Sequence, residues 1–325
     1  MRAIIPVAGI GSRLKPHTYS IPKVLINVGG KPILGHIIDK LLCEGIDRAT
    51  FVIGHLGEMI KEYVKSTHPS MNASFVEQKE ALGLGHAIYT AIPTFDDKEI
   101  FIILGDTVFD VNLTEVFKNK QTSLGVKTVE DPARFGVAVC ENGRITKLVE
   151  KPKTLVSKLA LVGLYYISNA DSLVSSLNTL VEKDIRTKGE LQLTDALQLM
   201  IENGEKITTF PVEGWYDCGK PETLLSTNQH ILDHQGNRID LKSVVVNHPV
   251  FVAPGALVTD SVIGPYATIA EGCIVKDSII KNSILGEGSK IECAMLEDSI
   301  IGNSAVIRGN FRRLNAGDSS EIEFF

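Results

Sequence analysis

The chain has 325 residues, longer than the roughly 100–200 of an ordinary single domain, so two domains are expected. Its hydrophobic fraction of 44% and charged fraction of 22% sit near the averages for soluble globular proteins and argue against disorder or membrane insertion. The net charge of −6, without a basic stripe carrying interleaved aromatics, argues against a nucleic-acid surface, so any anion site must be local.

The N-terminus enters the apolar run Ala3-Ile4-Ile5 at once, without the basic segment, longer apolar core and cleavage site of a secretory signal; a cytoplasmic location is expected. Ala3 to Val7 reads as a first strand. Ile33 to Glu44 carries a helical stripe of Ile33, Leu34, Ile37, Ile38, Leu41 and Leu42, followed by a strand over Ala49 to Ile53 and a helix over Glu58 to Lys65. Phe101 to Leu104 is a continuous apolar run ending in Gly105-Asp106, which suits a buried central strand delivering a carboxylate at its C-terminal edge, where open α/β sheets bind ligands. This rhythm of strand, turn and helix predicts a Rossmann-like α/β fold with a mixed, mostly parallel sheet. The five cysteines, Cys43, Cys140, Cys218, Cys273 and Cys293, are scattered and form no C-x-x-C pair, so reduced thiols are expected.

After Asn237 helical spacing disappears and a phrase of serine and two aliphatics recurs, at Ser261-Val262-Ile263, Ser278-Ile279-Ile280, Ser283-Ile284-Leu285 and Ser299-Ile300-Ile301. Leu257, Ile263, Ile269 and Val275 stand six apart, the hexapeptide period of a parallel β-helix. The serine spacing, 261 to 278 and then 283 to 299, makes each coil slightly shorter than three hexapeptides and the helix irregular. The polar stretch His234-Gln235-Gly236-Asn237-Arg238 is the expected linker, dividing the chain into domains 1–237 and 238–325.

Gly9 and Gly11 directly follow the first strand, where glycine lets backbone N–H groups approach phosphate oxygens, and Arg13 and Lys23 add charge. Leu14 stands where a dinucleotide fingerprint needs glycine, and no Gly-Lys-Ser/Thr follows, so neither a Rossmann nor a Walker loop is present. Pro16 and Pro22 oppose a simple helix and predict an extended flap with Arg13 and Lys23 facing a common anion. A lone Gly-x-Gly would be no more than a glycine-rich turn with solvated charges, and Asp106 alone an ordinary turn or cap residue.

The longer string Gly9-x-Gly11-Ser12-Arg13-Leu14-x-Pro16-x-Thr18, with Pro22-Lys23 and Lys31-Pro32-Ile33, resembles the signature of the sugar-1-phosphate nucleotidyltransferases. Ala8 replaces the first glycine of the family's pair, and Ser12 its threonine. Four more segments match in order: Gln78 with Gly83-Leu84-Gly85-His86-Ala87, Gly105-Asp106, Glu150-Lys151-Pro152, and Trp215-Tyr216-Asp217-x-Gly219-x-Pro221-Glu222. The C-terminal repeats resemble the short left-handed β-helix of the family's longer members.

The resemblance implies an enzyme that joins a nucleoside triphosphate to a sugar 1-phosphate and releases pyrophosphate. Ala8, Gly9, Gly11, Ser12, Arg13, Gln78 and Gly83 would bind nucleotide, with Gln78 able to read a pyrimidine edge. Gly136, Glu150, Lys151 and Gly163 would bind the sugar phosphate, and Asp106 and Asp217 would hold Mg²⁺. Arg13, Lys23, Asp106 and Asp217 would be catalytic, by neutralising charge between two anions. Asp195 is expected to cap a helix from Ala196 to Glu202, Trp215 to anchor the core under Asp217, and His86 to serve packing or to support a ligand-binding residue. Glucose 1-phosphate with dTTP is the expected pair, with UTP as the alternative nucleotide and GTP with mannose 1-phosphate behind them. A non-catalytic sensor of sugar nucleotides is the alternative of another class. Hexapeptide helices elsewhere carry acyltransferase sites built on histidine, but no histidine follows His248. The repeats and the tail from Phe311 to Phe325 are expected to cap the catalytic domain or to join subunits of a homo-oligomer.

Overall fold

The computed structural model describes residues 1–236, 239–309 and 314–323. The chain forms two compact units that do not follow the linear order: one holds Met1–Gly9 and Ile37–Trp215, the other Ile10–His36 and Tyr216–Phe325.

The first unit is built on nine strands: β1 (Arg2–Pro6), β2 (Arg48–Ile53), β3 (Asn72–Glu77), β4 (Ile100–Ile103), β5 (Ser123–Thr128), β6 (Gly136–Glu141), β7 (Arg144–Glu150), β8 (Leu159–Ile167) and β9 (Thr208–Pro211). Their order is β7-β6-β8-β4-β1-β2-β3, with β5 beside β8 and β9 beside β5. β4, β1, β2 and β3 are parallel, as buried aliphatic runs joined by helical crossovers should be. β8 runs antiparallel to β4, β5 and β6, so the sheet is mixed. The expected early strands and helices are present with ends shifted by one or two residues; the helices are α1 (Ile33–Cys43), α2 (Gly57–Thr67), α3 (Leu84–Ala91), α4 (Leu113–Lys118), α5 (Ala170–Glu182) and α6 (Leu193–Glu202). α3, α5 and α6 close one face of the sheet over a core that includes Ile4, Ile102, Leu124, Leu177 and Leu197.

The second unit joins α7 (Pro221–Gln235) and the segment 10–36 to a β-helix. Three parallel sheets of four, five and five short strands form its sides, the arrangement of a left-handed parallel β-helix. Ile263, Ile280 and Leu296 stack on one side, Ile269, Leu285 and Ile301 on the next, and Val275, Ile291 and Ile307 on the third, all buried. The recurring serines line two corners inside these coils, Ser261 and Ser278 at one and Ser283 and Ser299 at the next. Ser283 Oγ donates to the carbonyl of Lys281 and accepts from the backbone N–H of Ser299, and Ser278 and Ser299 repeat the pattern. Such bonds satisfy backbone groups that the strand ladders leave unpaired at a turn.

The six-residue period needs one correction: Leu257 is 64% exposed, and Val258 is the residue that stacks on Val275 and packs against the core. The step from Val258 to Ile263 is one residue short because the chain turns through Asp260, held at φ 46°, to bring Ser261 inward. Of the expected linker, His234 and Gln235 lie in α7, which Gly236 ends at φ 62°; Asn237 and Arg238 lie outside the described residues. The described part of the tail adds a further coil, with Asn315–Ala316 beside Ile300–Ile301 and Glu321–Glu323 beside Val306–Arg308, while 311–313, 324 and 325 lie outside the described residues.

Candidate active site

The residues singled out from sequence divide between the two units. In the first, the C-terminal edge of the parallel strands collects Ala8 and Gly9 after β1, Gln78 after β3 and Asp106 after β4. Gly54, after β2, lets this edge close up, since a Cβ there would stand 2.9 Å from the Ala8 carbonyl oxygen. Gln78 is held by its amide: Nε2 donates to the carbonyl of Gly83 and to Nδ1 of His86, each at 3.1 Å. Burial lowers the His86 pKa, opposed by Glu80 and assisted by Arg186, which keeps the ring neutral and its nitrogen an acceptor. His86 thus supports Gln78. Gly83 sits at φ 116° under the Leu191 carbonyl, which a Cβ would approach to 2.6 Å, so no other residue fits that turn.

Glu150 ends β7, and its Oε2 accepts from Thr194 Oγ1 at 2.7 Å. Gly136 makes room for this carboxylate: a Cβ there would lie 2.9 Å from Glu150 Oε2. Lys151 Nζ is 3.5 Å from Glu150 Oε1, and the Lys151 carbonyl accepts from Lys188 Nζ at 2.8 Å. Gly163 lies at φ 83° within an irregular stretch of β8, where a side chain would strike Leu104. The buried Tyr165 hydroxyl is pushed up in pKa by its burial and then by the carboxylates of Glu150 and Asp106, which places both acids in the field of one side chain.

Two expectations in this unit are corrected. α6 begins at Leu193 after Gln192, so Asp195 lies inside its first turn and does not cap it. Burial, opposed by the nearby Thr187 hydroxyl and assisted by the charge of Glu150, raises the Asp195 pKa. Trp215 is half-buried and packs edge-on against Phe135, with ring centroids 4.9 Å apart, rather than anchoring the core.

In the second unit, the segment carrying Arg13 and Lys23 is not extended. It winds into three short 3-10 turns, Ser12–Leu14, His17–Tyr19 and Lys23–Leu25, because each proline stands just before or between turns that need few internal bonds. Gly11 takes φ 68° and packs against the Lys23 and Thr18 side chains, while Thr18 Oγ1 donates to its carbonyl at 2.9 Å. Lys23 is 7% exposed, whereas Ser12 and Arg13 lie on the surface. Asp217 ends the strand Gly214–Asp217, and a Cβ on Gly219 would lie 2.7 Å from Asp217 Oδ1 and 2.9 Å from an Arg13 guanidinium nitrogen. The cation and the carboxylate therefore share one glycine floor.

Thr194, Lys188, Gly54 and Gly219 join the site residues by contact. Gly219 lies within the Trp215 to Glu222 segment. Among the described residues no group of three His, Cys, Asp or Glu side chains could hold a metal by themselves. Asp106 and Asp217 offer oxygen donors, which suits a hard cation completed by phosphate oxygens better than a protein-only cage. No helix among the described residues is long and apolar enough to cross a membrane.

Residues 2–234 match the family described as Nucleotidyl transferase, and the chain belongs to that family. Within it, the chain is a sugar-1-phosphate nucleotidyltransferase, an enzyme of nucleotide-sugar biosynthesis. It is 29% identical to a glucose-1-phosphate thymidylyltransferase of Streptomyces antibioticus over 99% of both chains. It is 34% identical to the bifunctional protein GlmU of Methanocaldococcus jannaschii over 94% of this chain and 78% of that one. Among solved structures, a Bacillus anthracis protein described as a glucose-1-phosphate thymidylyltransferase, in complex with a sucrose, superposes with a TM-score of 0.62 at 26% identity, over 74% of this chain and 98% of that one.

Proposed function

We propose that the enzyme makes a nucleoside diphosphate glucose from glucose 1-phosphate and dTTP, with UTP as the alternative nucleotide. The observation that carries the base assignment is the Gln78 amide. Its N–H groups are engaged by Gly83 and His86, which leaves Oε1 to accept from a base, and thymine and uracil both present an N3–H donor there. The match to a thymidylyltransferase across the β-helix as well as the catalytic region favours dTTP.

In the reaction a phosphate oxygen of the sugar phosphate attacks the α-phosphorus of the nucleotide while the bond to pyrophosphate breaks on the opposite side. Two anions must meet, so positioning and charge neutralisation dominate. Ala8, Gly9, Gly11 and Ser12 cradle the nucleotide, Arg13 grips the leaving pyrophosphate through its planar guanidinium, and Lys23 acts near the α-phosphate. Glu150 accepts from sugar hydroxyls, Lys151 neutralises the sugar phosphate, and Gly136 and Gly163 border that pocket. Asp106 and Asp217 would hold Mg²⁺, whose charge lowers the repulsion between the reacting phosphates. We place the catalytic domain over 1–237 and the β-helix over 238–325, and assign a homo-oligomer in the cytoplasm. The β-helix receives no second reaction in this reading, since no histidine follows His248.

Pyrophosphate release across a grid of nucleotides and sugar 1-phosphates tests the assignment. The expected result is fast turnover of glucose 1-phosphate with dTTP, slower with UTP, and little with CTP or ATP. Equal rates for purine and pyrimidine nucleotides would remove the base-reading role of Gln78.

A further inference from the structure

The segment that supplies Arg13 and Lys23 is anchored along its length to the rest of the second unit. At the front, His17, only 3% exposed, bonds through Nε2 to the side-chain oxygen of Asn315, and Ser20 Oγ donates to Asp318 Oδ2. Between these contacts Gly317 lies flat against Pro16, so closely that a Cβ on it would stand 3.0 Å from the proline Cβ. At the rear, the Gly29 N–H donates to Asn228 Oδ1 of α7 at 2.8 Å, and Thr268 of the β-helix donates to the same oxygen at 2.6 Å. A Cβ on Gly30 would strike the ring of Phe251, in the first coil, at 2.5 Å.

Asp318 does more than touch the loop. Its Oδ1 accepts from the Asn303 N–H at 2.8 Å, and Asn303 Oδ1 accepts from the Glu287 N–H at 2.9 Å. A ladder of side chain to backbone bonds thus climbs one corner of the β-helix and ends on Ser20. Three 3-10 turns have too few internal bonds to hold one shape by themselves. A loop that must be ordered by its ligand binds that ligand more weakly than one already in place.

We propose that Asn315 and Asp318, in the last coil of the β-helix, are positioning residues that fix the loop of Arg13 and Lys23, so that the β-helix sets the affinity for nucleotide. This rests on the phosphate-binding reading of those two residues. Burial lowers the pKa of His17, against the bond to Asn315 and the charge of Asp318, which keeps the contact one between neutral groups.

The test uses the full-length enzyme with Ser20→Ala, Asn315→Ala and Asp318→Ala, and Lys281→Ala as a control in an exposed ion pair with Glu297. Nucleotide KM, sugar phosphate KM, kcat and the rate of tryptic cleavage after Arg13 are measured. Ser20→Ala and Asn315→Ala are expected to raise nucleotide KM about fivefold and to speed cleavage by a similar factor, with sugar phosphate KM unchanged. Lys281→Ala is expected to change neither. Asp318→Ala also frees Asn303, so a larger effect is expected there. If that variant fails to fold, the other two still decide. Unchanged nucleotide KM and cleavage in both would overturn the proposal, as would equal rises in the two KM values. Faster cleavage with unchanged nucleotide KM would keep the anchoring but overturn the reading of Arg13 and Lys23, and with it control of affinity by the β-helix.

Discussion

At Gly219 a methyl group would press on the Asp217 carboxylate from 2.7 Å and on the Arg13 guanidinium from 2.9 Å. Both groups are on the phosphate side of the proposed reaction, and displacement by a fraction of an ångström is costly where catalysis rests on alignment. Gly219→Ala is expected to lower kcat by about tenfold or more while leaving the thermal midpoint nearly unchanged, read by pyrophosphate release and by circular dichroism. At this scale the sequence is most legible where the proposed chemistry asks for a fixed residue type: Gly11, Arg13, Lys23, Asp106 and Asp217 stand out because few side chains could serve beside a phosphate. Thr194 and Lys188 were not legible, since their partners Glu150 and Lys151 lie far away in the chain and only the fold joins them. Asp195 was misread for a related reason. Its position before an apolar helical stripe suits a cap, but the helix starts at Leu193 and takes Asp195 into its first turn.

Among the elements, the β-helix shows what a repeat announces and what it conceals. The recurring serines and aliphatics announced the coils, because each coil must offer the same inward positions to its neighbours. The phase is concealed, since a five-residue step and a six-residue step look alike until the corner is seen, and Leu257 falls outside the inward series for that reason. The serines prove to be hydrogen-bonding devices rather than spacers. Ser283 is fully buried, donates to one backbone carbonyl and accepts from one backbone N–H. Ser283→Ala leaves both groups without a partner and is expected to cost about 1–3 kcal/mol of stability, measured by denaturant unfolding. A change below about 0.5 kcal/mol would mean that water satisfies the corner instead. The segment after β1 teaches a similar lesson. Its prolines rightly opposed a helix, but the extended flap they suggested is replaced by 3-10 turns whose support comes from Asn315 and Asp318, some 300 residues away.

For the molecule as a whole, the linear division at residue 237 and the division by contacts answer different questions. Chain order separates a catalytic region matched over residues 2–234 from a repeat region, while contacts group the Arg13 and Lys23 segment with the repeats. Gln78, Asp106 and Glu150 belong to the first unit, and Arg13, Lys23 and Asp217 to the second. The family match over residues 2–234 carries the reaction class, and the proposed part of these residues in it is tested most directly by steady-state pyrophosphate release from dTTP and glucose 1-phosphate in Mg²⁺. Wild type is compared with Asp106→Ala and Asp217→Ala, each checked for an unchanged far-ultraviolet spectrum. The account predicts Mg²⁺-dependent turnover by wild type and a loss of at least about a hundredfold in kcat for each variant. Folded variants that turn over at the wild-type rate, or a wild type that releases no pyrophosphate with any nucleotide and sugar 1-phosphate, would contradict it.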